Sequence, residues 1–212
     1  RTLGFEDDEL LLTRDMVEAI ADLIREVAPD VIITHHPYEG GGFKMHATTG
    51  KGTLYAWQQA MGSGRGRAKR HHAPALFFMN PTAYVAITSL QYASTSRVDL
   101  LVDITDVVDK KVQAMDMIET QYYGGAYARK AHECTDGNLG QVGDVAYAEA
   151  FQSFLPRVIH RLPISDADLH RASVPSSETM ARRSEIIAGL TPMPPGHEYT
   201  SSFRTPKELY DA

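Results

Sequence analysis

Cysteine is almost missing from this chain of 212 residues, where Cys134 stands alone. A single thiol excludes an internal disulfide and any zinc site built on several cysteines, and it fits a reducing, cytoplasmic setting. Long apolar runs are missing too. Nothing approaches the ~20 residues that a membrane-spanning helix needs, and the acidic start RTLGFEDDELL has neither the charge nor the apolar stretch of a signal peptide. No membrane partner is expected. Positive charge is also scarce: Lys+Arg 21 against Asp+Glu 27 gives a formal net charge of −6. That balance excludes a broad phosphate-neutralising face, so no nucleic-acid partner is expected. The basic run GRGRAKRHH at 64–72 reads as a solvated turn. Repeats and low-complexity tracts are absent. No G-x-G-x-x-G follows a strand, and TTGKGT fails as a P-loop because Met45 occupies the first glycine position and Gly52 follows Lys51.

What is present reads as an α/β protein with enough apolar residues to bury one core. In TRDMVEAIADLIREVAPD, Val17, Ile20, Ala21, Ile24 and Val27 recur at helical spacing, with Thr13 as N-cap and Pro29 as terminator. The apolar run Val31, Ile32, Ile33 predicts a strand buried on both faces, as in a parallel sheet covered by helices. Then comes THHPYEGGGFKMHATTGKG, a strand-to-helix loop. Ligands of open parallel sheets bind at such strand ends. A helix over about 46–61 follows, with Leu54, Trp57 and Met61 on one side. ALFFMN reads as a buried strand, and YVAITSLQYAS as strand or irregular. DLLVDITDVVDKKVQAMDMIETQYY runs from a short strand into a long helix, capped by Thr105 or Asp106, with Val107, Val108, Val112, Met115 and Ile118 inward. GGAYARKAHECTDGNLGQVGD is a loop, and AYAEAFQSFLPRVIHRL a closing helix. The segment 164–212 reads as an extended tail whose helical candidate is SSETMARRSEIIAGL.

The loop holds His35, His36 and His46. Neighbours on an extended strand point to opposite faces, so at most one of His35 and His36 shares a pocket with His46. On residue chemistry alone, a metal site and a glycine loop with capping histidines both stay open.

Several blocks in order carry a resemblance: PDVIITHHP, a glycine turn and a histidine followed by ATTGKGTLYAWQQA, then LLVDITDVVDKKVQAM, ETQ and YAEAFQSFLPRV. Over roughly residues 1–162 the chain resembles the LmbE/PIG-L family of zinc-dependent deacetylases. The resemblance implies a Rossmann-like three-layer fold with a mostly parallel sheet, here missing its first strands. It divides the chain into 1–163, the carboxyl-side portion of the catalytic domain, and 164–212, a tail that wraps it or contacts a neighbour. His46 matches the last histidine of the family's H-P-D-H, a zinc ligand. Phe43, Lys44 and Met45 stand where the family has H-P-D, so Lys44 and His36 become the catalytic candidates and His35 and Arg129 the substrate-binding ones. The family's A-H-P-D-D-E block has no counterpart here; FEDDEL has acids without the histidine. The expectation is a chain that starts about three βα units into the fold, completed by a missing segment or a second chain, in a homo-oligomer.

The reaction implied is zinc-dependent removal of an acetyl group from an N-acetylated amino sugar or glycoconjugate, with metal-bound water as nucleophile. An alternative comes from a branch resembling 4-oxalomesaconate hydratase, which also lacks the first histidine of H-P-D-H. There water adds across the double bond of a small unsaturated tricarboxylate, and Lys44, Lys51, Arg129 and Lys130 are candidate carboxylate partners. A third reading is a non-catalytic binding subunit. Trp57 and Tyr55 read as core and flank, Cys134 as incidental, and Asp103 and Asp106 as strand-end and capping residues.

Overall fold

The structure is a computed structural model that describes residues 1–6, 12–38, 44–62, 69–79, 98–121, 124–175 and 178. Its helices are α1 (Arg14–Val27), α2 (Lys44–Met61), α3 (Val108–Asp116), α4 (Ala126–His132), α5 (Asn138–Val142) and α6 (Asp166–Ser173). Its strands are β1 (Val31–His35), β2 (Ala75–Met79), β3 (Leu100–Asp103) and β4 (Ala148–Ser153). Among the described residues no helix is long and apolar enough to cross a membrane.

The strands form one sheet in the order β1-β2-β4-β3. β1 runs parallel to β2, with Val31 opposite Ala75 and His35 opposite Met79. β2 runs antiparallel to β4, with Phe77 opposite Ser153 and Met79 opposite Phe151. The described sheet is therefore mixed, where the sequence reads as mostly parallel. The antiparallel member is β4, in a segment whose alanines and glutamate predict a helix. Ala148 and Ala150 are both fully buried at a spacing of two, so sheet packing overrides local helix propensity there. Phe154 extends the pairing by donating its N–H to the Leu76 carbonyl at 3.0 Å.

The chain divides into two compact units, Arg1–Leu100 with Ala150–Val158, and Leu101–Glu149 with Ile159–Ala212. In the first, Thr13 caps α1 by accepting from the Met16 N–H at 3.2 Å. Ala28 ends it in the left-handed region at φ 50° and donates to the Ile24 carbonyl at 2.9 Å, just ahead of Pro29. Ala21 and Ile24 pack with Ile32, Ala56, Trp57, Leu76 and Phe78 into the core of this unit. β1 buries one face only: Ile32 and Thr34 point inward, while Val31 and Ile33 are about half exposed. The apolar run thus conceals an alternation that its composition does not show.

In the second unit Ile104, Val108 and Tyr147 form a smaller core. α3 is shorter than its sequence pattern, since it ends at Asp116 and leaves Val107 and Ile118 exposed; Val108 and Val112 are its buried residues. Asp103 closes β3 by accepting from both the N–H and the hydroxyl of Thr105, at 3.0 and 2.6 Å. The run read as a glycine-rich loop is largely helical. α4, a π-helical turn over Glu133–Gly137 and α5 follow without a break. Gly140 makes this possible, because a Cβ there would lie 2.4 Å from the Ala146 carbonyl oxygen. In the tail, α6 starts at a capping box between Ser165 and Asp168, earlier than the helix predicted from sequence. That predicted helix, YVAITSLQYAS and most of GRGRAKRHH lie outside the described residues.

Candidate functional site

The end of β1 and the start of α2 bring two of the three histidines together. His35 is the last residue of β1, and Gly50 lets α2 lie directly against its backbone. The hydroxyls of Thr34 and Thr53 bond at 3.2 Å, which ties strand to helix one residue before His35. With α2 held there, His46 in its first turns stacks on His35, ring centroids 4.0 Å apart and planes 17° from parallel. Stacked imidazoles meet face to face, so the nitrogens of both lie at the rim of the pair.

His36 takes the other direction. It is buried, edge-on to Phe78 at 5.2 Å, and its Nδ1 accepts the Tyr38 N–H at 3.2 Å. A neutral His36 then carries its proton on Nε2. Lys44 opens α2, and its side chain lies outside the described set. Lys51 places its ammonium 5.8 Å from the centre of the Tyr38 ring.

A catalytic zinc site normally takes three protein ligands and one open position. Among the described residues no group of three or more His, Cys, Asp and Glu is placed to hold a metal. His46 and His35 supply two imidazoles and no more, so the described residues do not by themselves fit zinc.

Arg129 belongs to the second unit, and its guanidinium is committed within that unit. Its Nη1 and Nη2 donate to the two carboxylate oxygens of Asp116 at 3.1 and 3.3 Å, and Nη1 also donates to the Gly125 carbonyl at 2.9 Å. Those bonds, with the Gly125 N–H at 2.7 Å, hold the Asp116 carboxyl below the usual carboxylate range. Arg129 therefore fastens the turn between α3 and α4. Lys130 is exposed.

The same unit contains a buried polar cluster that the sequence does not announce. His132 Nδ1 and Asp136 Oδ2 are 2.6 Å apart, and both side chains are almost fully buried. Lys111 joins Asp136 at 2.7 Å and Glu149 at 2.5 Å. The Tyr147 hydroxyl donates to Glu133 at 2.7 Å. Burial works to raise the Asp136 pKa, yet the bonds from His132 and Lys111 outweigh it and hold the carboxyl below its ordinary value. The available signal was His132 and Asp136 at i and i+4, visible only once this stretch is read as helix.

No family model and no curated protein matches the chain. Solved structures do. One, described as GalB, the 4-carboxy-2-hydroxymuconate hydratase from Pseudomonas putida KT2440, aligns with a TM-score of 0.56 at 24% identity, covering 71% of this chain and 62% of its own. Another, described as the conserved protein TT1542 from Thermus thermophilus, aligns with a TM-score of 0.60 at 20% identity, covering 74% of this chain and 66% of its own. The chain thus spans less than two thirds of each of these structures. At such identities the likeness shows a shared fold: a mixed α/β arrangement common to these proteins over most of the residues compared.

Proposed function

We propose that this chain is part of a hydratase-type enzyme that adds water across a carbon-carbon double bond of a small unsaturated polycarboxylate. The observation that supports this most is the fold it shares with a protein described as a 4-carboxy-2-hydroxymuconate hydratase. By its name, that substrate is a conjugated diene bearing three carboxyl groups. The replacement of H-P-D by Phe43, Lys44 and Met45 points the same way, since the branch of the LmbE/PIG-L family resembling 4-oxalomesaconate hydratase also lacks that first histidine. Kinship with that family, and its Rossmann-like layering, are carried as part of the same proposal. The sequence puts sugar deacetylation first; the comparisons support hydration instead.

Hydration requires little beyond placement and proton transfer. One O–H bond of water breaks, a C–O bond forms at one alkene carbon and a C–H bond at the other, with no change of oxidant or reductant. Lys51 gives a carboxylate a cationic partner at the strand end. His35 and His46, stacked where β1 meets α2, are this chain's candidates for contacting polar substrate groups. His36, as the Nε2–H tautomer, is a hydrogen-bond donor when neutral. Zinc belongs to the reading as a proposal, with His46 as this chain's ligand and the other donors coming from outside the described residues.

The test is to incubate the protein with 4-carboxy-2-hydroxymuconate and follow loss of its diene absorbance, beside an acetate-release assay on an N-acetylglucosaminide. Loss of absorbance without acetate release is the expected result. Acetate release alone would replace the reading with amide hydrolysis, and silence in both assays would leave a non-catalytic subunit. Zinc content measured on the same material, for the parent and His46→Ala, tests the metal separately.

A further inference from the structure

We propose that Leu155–Ile164 is an arm that docks on a second copy of this chain, where Arg157–Leu162 pairs as an added strand along the open edge of β1. Such docking does not depend on the reaction catalysed. Leu155, Val158, Ile159, Leu162 and Ile164 are all at least half exposed, and Val158 and Leu162 reach 96% and 90%. A single exposed leucine is ordinary. Large apolar side chains gathered in one stretch that belongs to no helix or strand instead mark a surface that meets something else. The backbone and side chains of Arg157–Leu162 form no hydrogen bond or ion pair among the described residues.

The acceptor is β1, whose partner among the described residues is β2 alone. Its other side presents a row of backbone N–H and C=O groups, and VIITH contains none of the prolines or lysines that blunt such an edge. On the outer face Val31 and Ile33 stand about half exposed. Ile33 is opposite Phe77, whose ring meets Phe151 at 6.4 Å, so this face stays apolar beyond the edge. The arm fits that edge in length and in pattern. Pro156 and Pro163 lack the N–H that a ladder needs, and between them Arg157–Leu162 keeps every donor over a stretch about as long as β1. As a strand it would turn Val158 and Leu162 to one face, beside Val31 and Ile33, and Arg157 and Arg161 to the other.

Charge, topology and area select a second copy as the occupant. From Ala150 to Ser165 the chain has no acidic residue and carries Arg157 and Arg161, whereas its formal net charge is −6 and an exposed Asp30 precedes β1. Another copy therefore offers a surface of complementary charge. The arm leaves from β4, and β2 stands between β4 and β1, so the open edge of its own sheet faces away from its root. Exchange also counts the contact twice. Each copy gives an arm and receives one across a two-fold axis, and together these approach the about 20–30 residues a side of a standard interface. Arm and acceptor belong to different copies, and no contact between the two units of one chain is involved.

The test is the oligomeric state of the 212-residue chain, followed by sedimentation velocity across about 1–100 μM. A dimer that dissociates on dilution is expected. Val158→Asp combined with Leu162→Asp on the arm, and Ile33→Lys on the edge, are each expected to raise its dissociation constant about 10-fold or more. All three positions are exposed, so the circular dichroism of the variants should match that of the parent. The contact itself is read in a Cys134→Ser background. Ile33→Cys protein mixed with Val158→Cys protein should form a disulfide-linked dimer on mild oxidation, faster than either protein alone. A monomer at every concentration overturns the proposal, and so does a dimer that both sets of substitutions leave intact. A cross-link that forms only within one chain, in the protein carrying both cysteines, would assign the arm to its own β1 and overturn it as well.

Discussion

Gly50 and His35 meet backbone to backbone: a Cβ placed on Gly50 would lie 2.3 Å from the His35 carbonyl oxygen and 3.1 Å from the His36 carbonyl carbon. Neither atom belongs to a side chain that could swing aside. The close approach of α2 to the end of β1 sets the 4.0 Å stack of His35 on His46, so a missing methyl group positions two candidate site residues.

Gly50→Ala is therefore expected to destabilise the protein by about 1–3 kcal/mol, the usual cost of overpacking. Helix propensity pushes the opposite way, by about 1 kcal/mol in favour of alanine. A stability gain in urea denaturation would show that α2 stands farther from β1 than it does here. Gly52→Ala is the control. The atoms nearest its Cβ would be the side-chain ends of Leu12 and Met16, at 3.3 Å, and these can yield.

Asp136→Asn tests the buried cluster through its pH dependence. The folded-state pKa of Asp136 is depressed, so its contribution to stability is present above the ordinary carboxylate value of about 4 and is lost as pH falls through the folded value. The variant is expected to lose about 2–3 kcal/mol at neutral pH, as for a hydrogen-bonded charged group. The gap between the two proteins should narrow on acidification. Equal denaturation midpoints at pH 7 would dismiss the network as a stabilising unit.

Tyr147→Phe removes the hydroxyl that donates to Glu133 at 2.7 Å. Burial first, then that bond and the charge of Glu133, push the Tyr147 pKa well above its usual value. The folded state thus retains a proton that the unfolded state releases near pH 10, and this part of the stability is lost as pH rises beyond that value. The spectrophotometric tyrosine titration of the native variant should lack its most alkaline component. Loss of amplitude in the ordinary tyrosine range, with the most alkaline component kept, would mean that Tyr147 ionises with the rest.

Local signals made much of the first unit legible. Thr13 and Pro29 bracket α1, and β1 and α2 lie close to where the apolar run and the Leu54, Trp57, Met61 pattern predict them. What escaped was decided by distant contacts. The alternation in β1 depends on Ile32 and Thr34 facing a core to which Trp57, Leu76 and Phe78 contribute, while Val31 and Ile33 do not. β4 is a strand because Ala148 and Ala150 fit a sheet surface, although AYAEAF favours a helix in isolation. The partner of Arg129 is Asp116, thirteen residues earlier and across a turn. His132 and Asp136 stayed hidden because Gly137, Gly140 and Gly143 suggested a loop, yet Gly140 is required there by close backbone packing.

Trp57 is the chain's only tryptophan, so its surroundings can be read directly by fluorescence. The indole N–H donates to the Ala73 carbonyl at 3.0 Å, the ring stands edge-on to Phe154 at 5.6 Å, and the residue is 5% exposed. A platform for stacking a sugar or planar substrate needs an open ring face, and this one is spent on the core. Trp57→Ala is expected to cost about 3–5 kcal/mol. Trp57→Phe keeps most of the packing but leaves the Ala73 carbonyl unpaired, for a loss of about 1–3 kcal/mol. Native emission should be blue-shifted and poorly quenched by acrylamide, and it should move to the red on unfolding. Quenching in the native state as efficient as in the unfolded chain would put the indole at the surface and return it to the ligand-contacting candidates.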